Sequence, residues 1–166
     1  MRSESAWQAS RRPRKSNKMR RIVIHEEYCI GCRLCEVHCL VQHSASRDII
    51  KAFRSDQPRV MPRVMVEESG PLSFALQCRQ CLEPSCLEAC ISGAMHRDES
   101  TGAIVCDESQ CVGCWMCIMV CPAGSIRQNL EGTRIASKCD LCLGAEIPAC
   151  VAHCPNEALT YEESKP

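Results

Sequence analysis

The stretch Cys29-Ile-Gly-Cys-Arg-Leu-Cys-Glu-Val-His-Cys39 places four thiols within eleven residues, enough to enclose one metal centre. The pattern returns three times along the chain. A second quartet is Cys78, Cys81, Cys86 and Cys90, and a third is Cys111, Cys114, Cys117 and Cys121, followed by Pro122. The fourth is Cys139, Cys142, Cys150 and Cys154, followed by Pro155. Every quartet begins with two residues between its first pair of cysteines and ends with three between its last pair; only the middle gap varies. Sixteen of the 17 cysteines obey this rule, and Cys106 is left over.

Four thiolates at such spacing suit three chemistries. Structural zinc usually takes two separated C-x2-C knuckles, and in quartets one and three the third cysteine follows too closely for that. Disulfide scaffolds belong to exported chains. Quartets one and three instead have the run in which three cysteines hold one [4Fe–4S] cluster and the fourth holds another. Two-residue gaps let a loop wrap three corners of a cube while its amides face the sulfurs. The third cysteine then starts a short helix, and the fourth, one turn on, reaches a neighbouring centre from the same helix face. Gly31 and Gly113 fall where backbone must come close. Pro122 and Pro155 suit a chain leaving the helix after its last ligand.

The elements that must position these thiols are small. Only six of 166 residues are aromatic, so apolar burial alone makes a thin core, and metal is the expected support. Ala94–Arg97 and Gly102–Val105 read as a hairpin around Asp98-Glu-Ser-Thr. Ser125–Gln128 and Arg134–Ser137 read similarly around Asn129-Leu-Glu-Gly-Thr. Arg21–Ile24 and Ala158–Tyr161 are positioned to pair and to join the chain ends. In the long connection, Arg59–Glu67 reads as a strand with Pro62 at an edge or bulge.

The expected fold class is α+β: tandem bacterial-ferredoxin-like modules, with short hairpins and short helices built around four iron–sulfur clusters. The resemblance of these cysteine runs to four-cluster ferredoxin-like electron-transfer subunits implies an outer module of residues 22–44 plus 134–162, an inner module of 72–130, and a connection at 45–71. These make up a four-cluster domain over 21–162, between a basic arm at 1–20 and a tail at 163–166.

On these motifs the chain resembles the four-cluster ferredoxin-like electron-transfer subunits of formate dehydrogenases, hydrogenases and dimethyl sulfoxide reductase-type enzymes. Pro58-Arg-Val, Val66-Glu, Cys78-Arg-Gln-Cys-Leu-Glu-Pro-Ser-Cys and Gly93-Ala-Met also fall where that pattern expects them. The Cys29–Cys39 stretch is most similar to the branch serving carbon monoxide dehydrogenase and to small subunits of tungsten aldehyde oxidoreductases. The resemblance implies four [4Fe–4S] clusters with crossed ligands. Cys29, Cys32, Cys35 and Cys154 would hold one, and Cys139, Cys142, Cys150 and Cys39 its mate. The inner pair would use Cys78, Cys81, Cys86 with Cys121, and Cys111, Cys114, Cys117 with Cys90. Quartets one and two depart from the pattern in carrying Leu40 and Ile91 where a proline is usual.

The same resemblance implies electron transfer as a non-catalytic subunit or dedicated partner, in a hetero-oligomer. Its neighbours would be a large catalytic redox subunit (a tungsten or molybdenum enzyme, carbon monoxide dehydrogenase or hydrogenase) and a second electron carrier or flavoprotein. The residues show no nucleophile elbow, phosphate loop or paired-carboxylate motif, so no catalytic residue is assigned. A zinc-binding structural or nucleic-acid-binding protein remains the alternative, since residues 1–21 carry eight Lys/Arg and one acid. That arm could equally dock on a partner or reflect an upstream start, because Met19 opens a second frame. The body carries 12 basic and 19 acidic residues, to which four clusters would add further negative charge. Ser10-Arg11-Arg12 is followed by no apolar run, so neither export signal nor membrane span is expected, and a cytoplasmic location is.

Nine other side chains bear on the site. His38 and His153 precede the crossed ligands Cys39 and Cys154, either as surface or packing residues or as imidazoles tuning a cluster. Cys106, in a strand, reads as a small apolar residue. Met116 and Met119, together with Trp115, read as core sheathing the third quartet. His25, His43 and His96 read as structural or solvent-facing.

Overall fold

The computed structural model describes residues 19–57, 60–129 and 135–164. Residues 1–18, with most of the basic arm, and residues 58–59, 130–134 and 165–166 lie outside them. Among the described residues helix and strand are mixed, and the strands form four separate two-stranded antiparallel sheets.

Strand β1 (Met19–Ile24) pairs with the last strand, β8 (Leu159–Ser164), placing Ile22 opposite Tyr161 and Ile24 opposite Leu159. The expected joining of chain ends is therefore present. The period-two alternation drives it, since Ile22 and Leu159 turn inward to the core. Strands β4 (Met95–Arg97) and β5 (Ile104–Cys106) form the hairpin expected around Asp98. Its carboxylate accepts the Thr101 N–H at 2.7 Å and both neighbouring hydroxyls, closing the turn. Strands β6 (Arg127–Gln128) and β7 (Ala136–Ser137) make the shortest ladder.

The connection holds more order than its sequence suggested. Strand β2 is Val64–Ser69 and not the segment from Arg59, and it pairs with β3 (Leu72–Gln77). Pro62 precedes it, and the Arg63 N–H is directed at Cys39 Sγ, 3.2 Å away, so the ladder begins only at Val64. Helix α2 (Ile49–Arg54) was not expected. Asp48 caps it by accepting the Ile50 and Lys51 N–H groups at 3.0 and 2.9 Å.

Four other helices follow one rule: the third cysteine of each quartet is the second helical residue. They are α1 (Leu34–His43), α3 (Ser85–Glu88), α4 (Met116–Met119) and α5 (Ala149–Ala152). Only in α1 does the fourth cysteine remain helical; Cys90, Cys121 and Cys154 lie two residues past their helices. Leu40, standing where quartets three and four have proline, lets α1 run on to His43. Quartet two also lacks the proline, yet α3 is as short as the others.

Two apolar clusters form the interior. The larger gathers Ile22, Val64, Val66, Ala75, Leu141 and Leu159 around Cys35, Cys39, Cys78, Cys139 and Cys150. The smaller has Met95, Ile126 and Ala136 around Cys117. A buried polar strap ties the loop of quartet two to β5 and to quartet four. Gln80, 2 % exposed, accepts the Ile104 N–H at 2.8 Å and donates to Cys139 O at 3.1 Å. Replacing Gln80 by Ala strands that buried N–H, and the expected loss is about 1–3 kcal/mol. Anaerobic denaturant unfolding of the iron-loaded protein measures it; an unchanged midpoint would show the strap to contribute nothing.

Candidate metal centres

The residue before the second cysteine of every quartet is left-handed: Gly31 (φ 67°), Gln80 (47°), Gly113 (67°) and Leu141 (58°). Two of the four are not glycine, so the loops hold a conformation that side chains resist. A Cβ on Gly31 would meet Ser73 only at ordinary contact distance, 3.4 Å, so it is the positive φ that favours glycine there. The turn brings main-chain donors to sulfur. The Leu141 N–H donates to Cys139 Sγ at 3.4 Å, and the Met95 N–H to Cys90 Sγ at 3.3 Å.

The thiols converge in crossed groups. One cavity is lined by Cys29, Cys32, Cys35 and Cys154, another by Cys78, Cys81, Cys86 and Cys121, and a third by Cys90, Cys111, Cys114 and Cys117, with Cys106 on its wall. Their open volumes are similar, about 340, 360 and 310 Å³. Of the remaining four, Cys39, Cys139 and Cys150 are buried in the larger apolar cluster, and the charges of Cys39, Cys139 and Cys142 bear on Cys150. The groups follow one another in a row. Cys35 neighbours Cys150, Cys139 neighbours Cys78, and Cys117 neighbours Cys86. Exposed cysteines, Cys32 and Cys114, belong to the first and last groups of that row.

Without a cation several of these thiols resist ionisation. Burial, with neighbouring sulfurs adding to it, pushes Cys35 and Cys139 up to about 12 and Cys117 to about 11, and Cys150 further still. Cys90 and Cys121 go the other way: burial opposes ionisation, but donors from Met95 and Ser92, and from Ser125, outweigh it. Buried sulfurs that meet in fours, with amides aimed at them, form a donor set that becomes anionic when metal supplies the charge. The residues present fit [4Fe–4S] groups.

A rival donor set, His43, Asp140 and Cys142, brings three ligand atoms together. It is an ion-pair network instead. Asp140 accepts from His43 Nε2 at 3.1 Å and Arg63 at 2.6 Å, and also takes the Cys142 N–H at 2.9 Å. Burial opposes the charge on Asp140, but these donors hold it below the usual carboxylate range. Burial would lower His43 too, yet the hydrogen bonds to Asp140 and Cys39 raise it to about 9. A raised folded value means that the His43 contribution to stability is complete below about 6.5 and is lost as pH rises through about 9. The melting-temperature gap between the wild type and His43→Gln should therefore close across that window; a constant gap contradicts it.

The other flagged side chains are placed as follows. His38 and His153 stack on each other, ring centroids 3.5 Å apart and planes 10° from parallel. Neither is among the residues lining the cavity of Cys29, Cys32, Cys35 and Cys154. His25 bonds Thr160 Oγ1 at 3.2 Å, and His96 is exposed. Met119 is 80 % exposed and Met116 44 %, so they do not form the core expected of them. They stand on the outer side of α4, beyond the turn that carries Cys117 inward. Sequence reasoning missed Lys138, 4 % exposed beside Cys139; a lone lysine in a polar stretch gives no signal of burial.

Among the described residues no helix is long and apolar enough to cross a membrane. The chain matches the 4Fe-4S dicluster domain family over residues 71–164. It is 35 % identical over 153 residues to an iron-sulfur protein of Rhodospirillum rubrum, covering 83 % of this chain and 79 % of that one. It is 36 % identical to the electron transport protein HydN of Escherichia coli K12, covering 83 % of this chain and 85 % of the relative. Identity to the thiosulfate reductase electron transfer subunit PhsB of Salmonella typhi is 32 %, over 84 % of this chain and 74 % of that one. With its repeated cysteine loops and these relatives, the chain belongs to the 4Fe-4S dicluster family of iron–sulfur electron-transfer proteins.

Proposed function

We propose that this chain carries electrons along a row of four [4Fe–4S] clusters as the iron–sulfur subunit or dedicated partner of a cytoplasmic redox enzyme. It is an electron carrier and not the catalyst. Cys29, Cys32, Cys35 and Cys154 would hold the first cluster, and Cys139, Cys142, Cys150 and Cys39 the second. Cys78, Cys81, Cys86 and Cys121 would hold the third, and Cys111, Cys114, Cys117 and Cys90 the fourth. The observation that carries the reading is the crossed gathering of thiols: three cavities, each lined by three cysteines of one quartet and the fourth of another. When bound, such clusters supply reversible one-electron chemistry.

The chain's own residues do the rest. Sixteen thiols would complete every iron corner, so no substrate is bound. Main-chain N–H groups of Leu141, Met95 and Arg63 donate to sulfur and favour the more negative state. Around exposed Cys32, Tyr28 and Ile30 are more than half exposed; around Cys114, Val112, Met119 and nearby Ile91 are more so. Both ends thus offer apolar side chains beside an outlying cysteine, as transient redox contacts require.

The partners would be a large catalytic redox subunit and a second carrier or flavoprotein. Support comes from relatives named as an electron transport protein and as a thiosulfate reductase electron transfer subunit. Assignment to carbon monoxide dehydrogenase or tungsten aldehyde oxidoreductase rests on the Cys29–Cys39 stretch alone. The test is anaerobic purification from the native host, followed by mixing the dithionite-reduced chain with the large chain that accompanies it. Reoxidation of this chain as the large one is reduced is expected. A chain that migrates alone and exchanges no electrons with it would overturn the reading.

A further inference from the structure

Lys138 follows β7 and directly precedes Cys139. Its ammonium donates to the carbonyl oxygens of Ile104 and Cys139, the latter at 2.9 Å. Both acceptors are fixed by Gln80, which bonds Ile104 and Cys139 through its amide. Carbonyls solvate a cation but do not neutralise it. A buried ion without counter-charge is costly, so an opposite charge is expected close by.

Among the described residues no carboxylate supplies it. Asp140 and Glu108 share a second cavity with Lys138 and Arg63. Both are committed to Arg63, at 2.6 and 3.8 Å, and Asp140 also to His43. On its other side Lys138 lines the cavity of Cys78, Cys81, Cys86 and Cys121. It thus stands between Cys86, which lines that cavity, and Cys139, whose carbonyl it bonds, one from each of the two middle groups of the row.

We propose that Lys138 is the internal counter-ion of the two middle clusters, a positioning residue that raises their potentials and leaves those at the two ends unchanged. The proposal rests on the four-cluster reading. Each added electron makes a cluster more negative, so a fixed cation beside it favours the reduced form. The middle of the row then holds an electron more readily than it would beside a neutral side chain. The chain keeps this charge inside the fold, at the junction of its two apolar clusters, where bulk salt screens it little.

The test is redox potentiometry, followed by electron paramagnetic resonance, on anaerobically purified full chain carrying Lys138→Met, Lys138→Gln or Lys138→Arg. Neutral variants are expected to lower the reduction equilibrium of two clusters by about tenfold, which is about 59 mV for one electron. The other two clusters should stay in place, and Lys138→Arg should restore the wild-type values. Unchanged potentials, or an equal shift of all four, overturn the proposal. Should both neutral variants lose iron, full iron with Lys138→Arg supports the counter-ion role, and loss with all three makes Lys138 a packing residue and overturns it. The four-cluster reading fails separately, if the wild type itself does not contain four clusters.

Discussion

Replacing Cys39 by Ala is expected to empty the centre of Cys139, Cys142 and Cys150 and to leave Cys29, Cys32 and Cys35 loaded, although Cys39 is their neighbour in sequence. Helix α1 carries Cys39 one turn beyond Cys35, and the Arg63 N–H donates to its sulfur from the β2 side. There its charge acts on Cys139, Cys142 and Cys150. Iron should fall from about sixteen to about twelve atoms per chain. Alkylation under mild conditions, read by mass spectrometry, identifies the freed thiols. Newly modified Cys139, Cys142 and Cys150 are expected; modification of Cys29, Cys32 and Cys35 instead would refute the crossed arrangement. The companion variant Cys154→Ala should free Cys29, Cys32 and Cys35, because Cys154 lines their cavity.

The second large effect is on the fold itself. Stripping the iron should abolish the cooperative native structure and not merely weaken it. Each sheet has two strands, and such ladders are marginal alone. Five of the thirteen buried residues in the larger apolar cluster are cysteines, so the interior is partly built of ligands. With a typical domain stable by only about 5–15 kcal/mol, losing every metal centre removes more than the remaining contacts can offset. Chelation under denaturant, followed by refolding without iron, should give far-UV circular dichroism of a largely unfolded chain and rapid proteolysis. A cooperative melt within a few degrees of the loaded protein would contradict this.

What could be read from the sequence follows from how local each feature is. The cysteine spacing is a local code, so the four loops, their short helices and the hairpin around Asp98 were legible. The closing pair β1–β8 was legible through its alternation. Helix α2 was not, because its signal is a single Asp48 cap before six residues in a segment dominated by charge. Strand β2 was misplaced because Val60 and Met61 look like strand, while the main-chain demand of Cys39 Sγ on Arg63 outweighs that propensity. Met116 and Met119 read as core by residue type, whereas exposure depends on which side of α4 they occupy. Lys138 and the His43–Asp140–Arg63 network depend on residues more than thirty positions apart, and no window of sequence contains them.

The central claim is that sixteen of the cysteines serve four iron–sulfur clusters. Its most direct test is quantification of iron, acid-labile sulfide and zinc in the anaerobically purified chain. About sixteen irons and about sixteen sulfides per chain are predicted, in a brown protein that bleaches with dithionite. Zinc without labile sulfide would contradict the account.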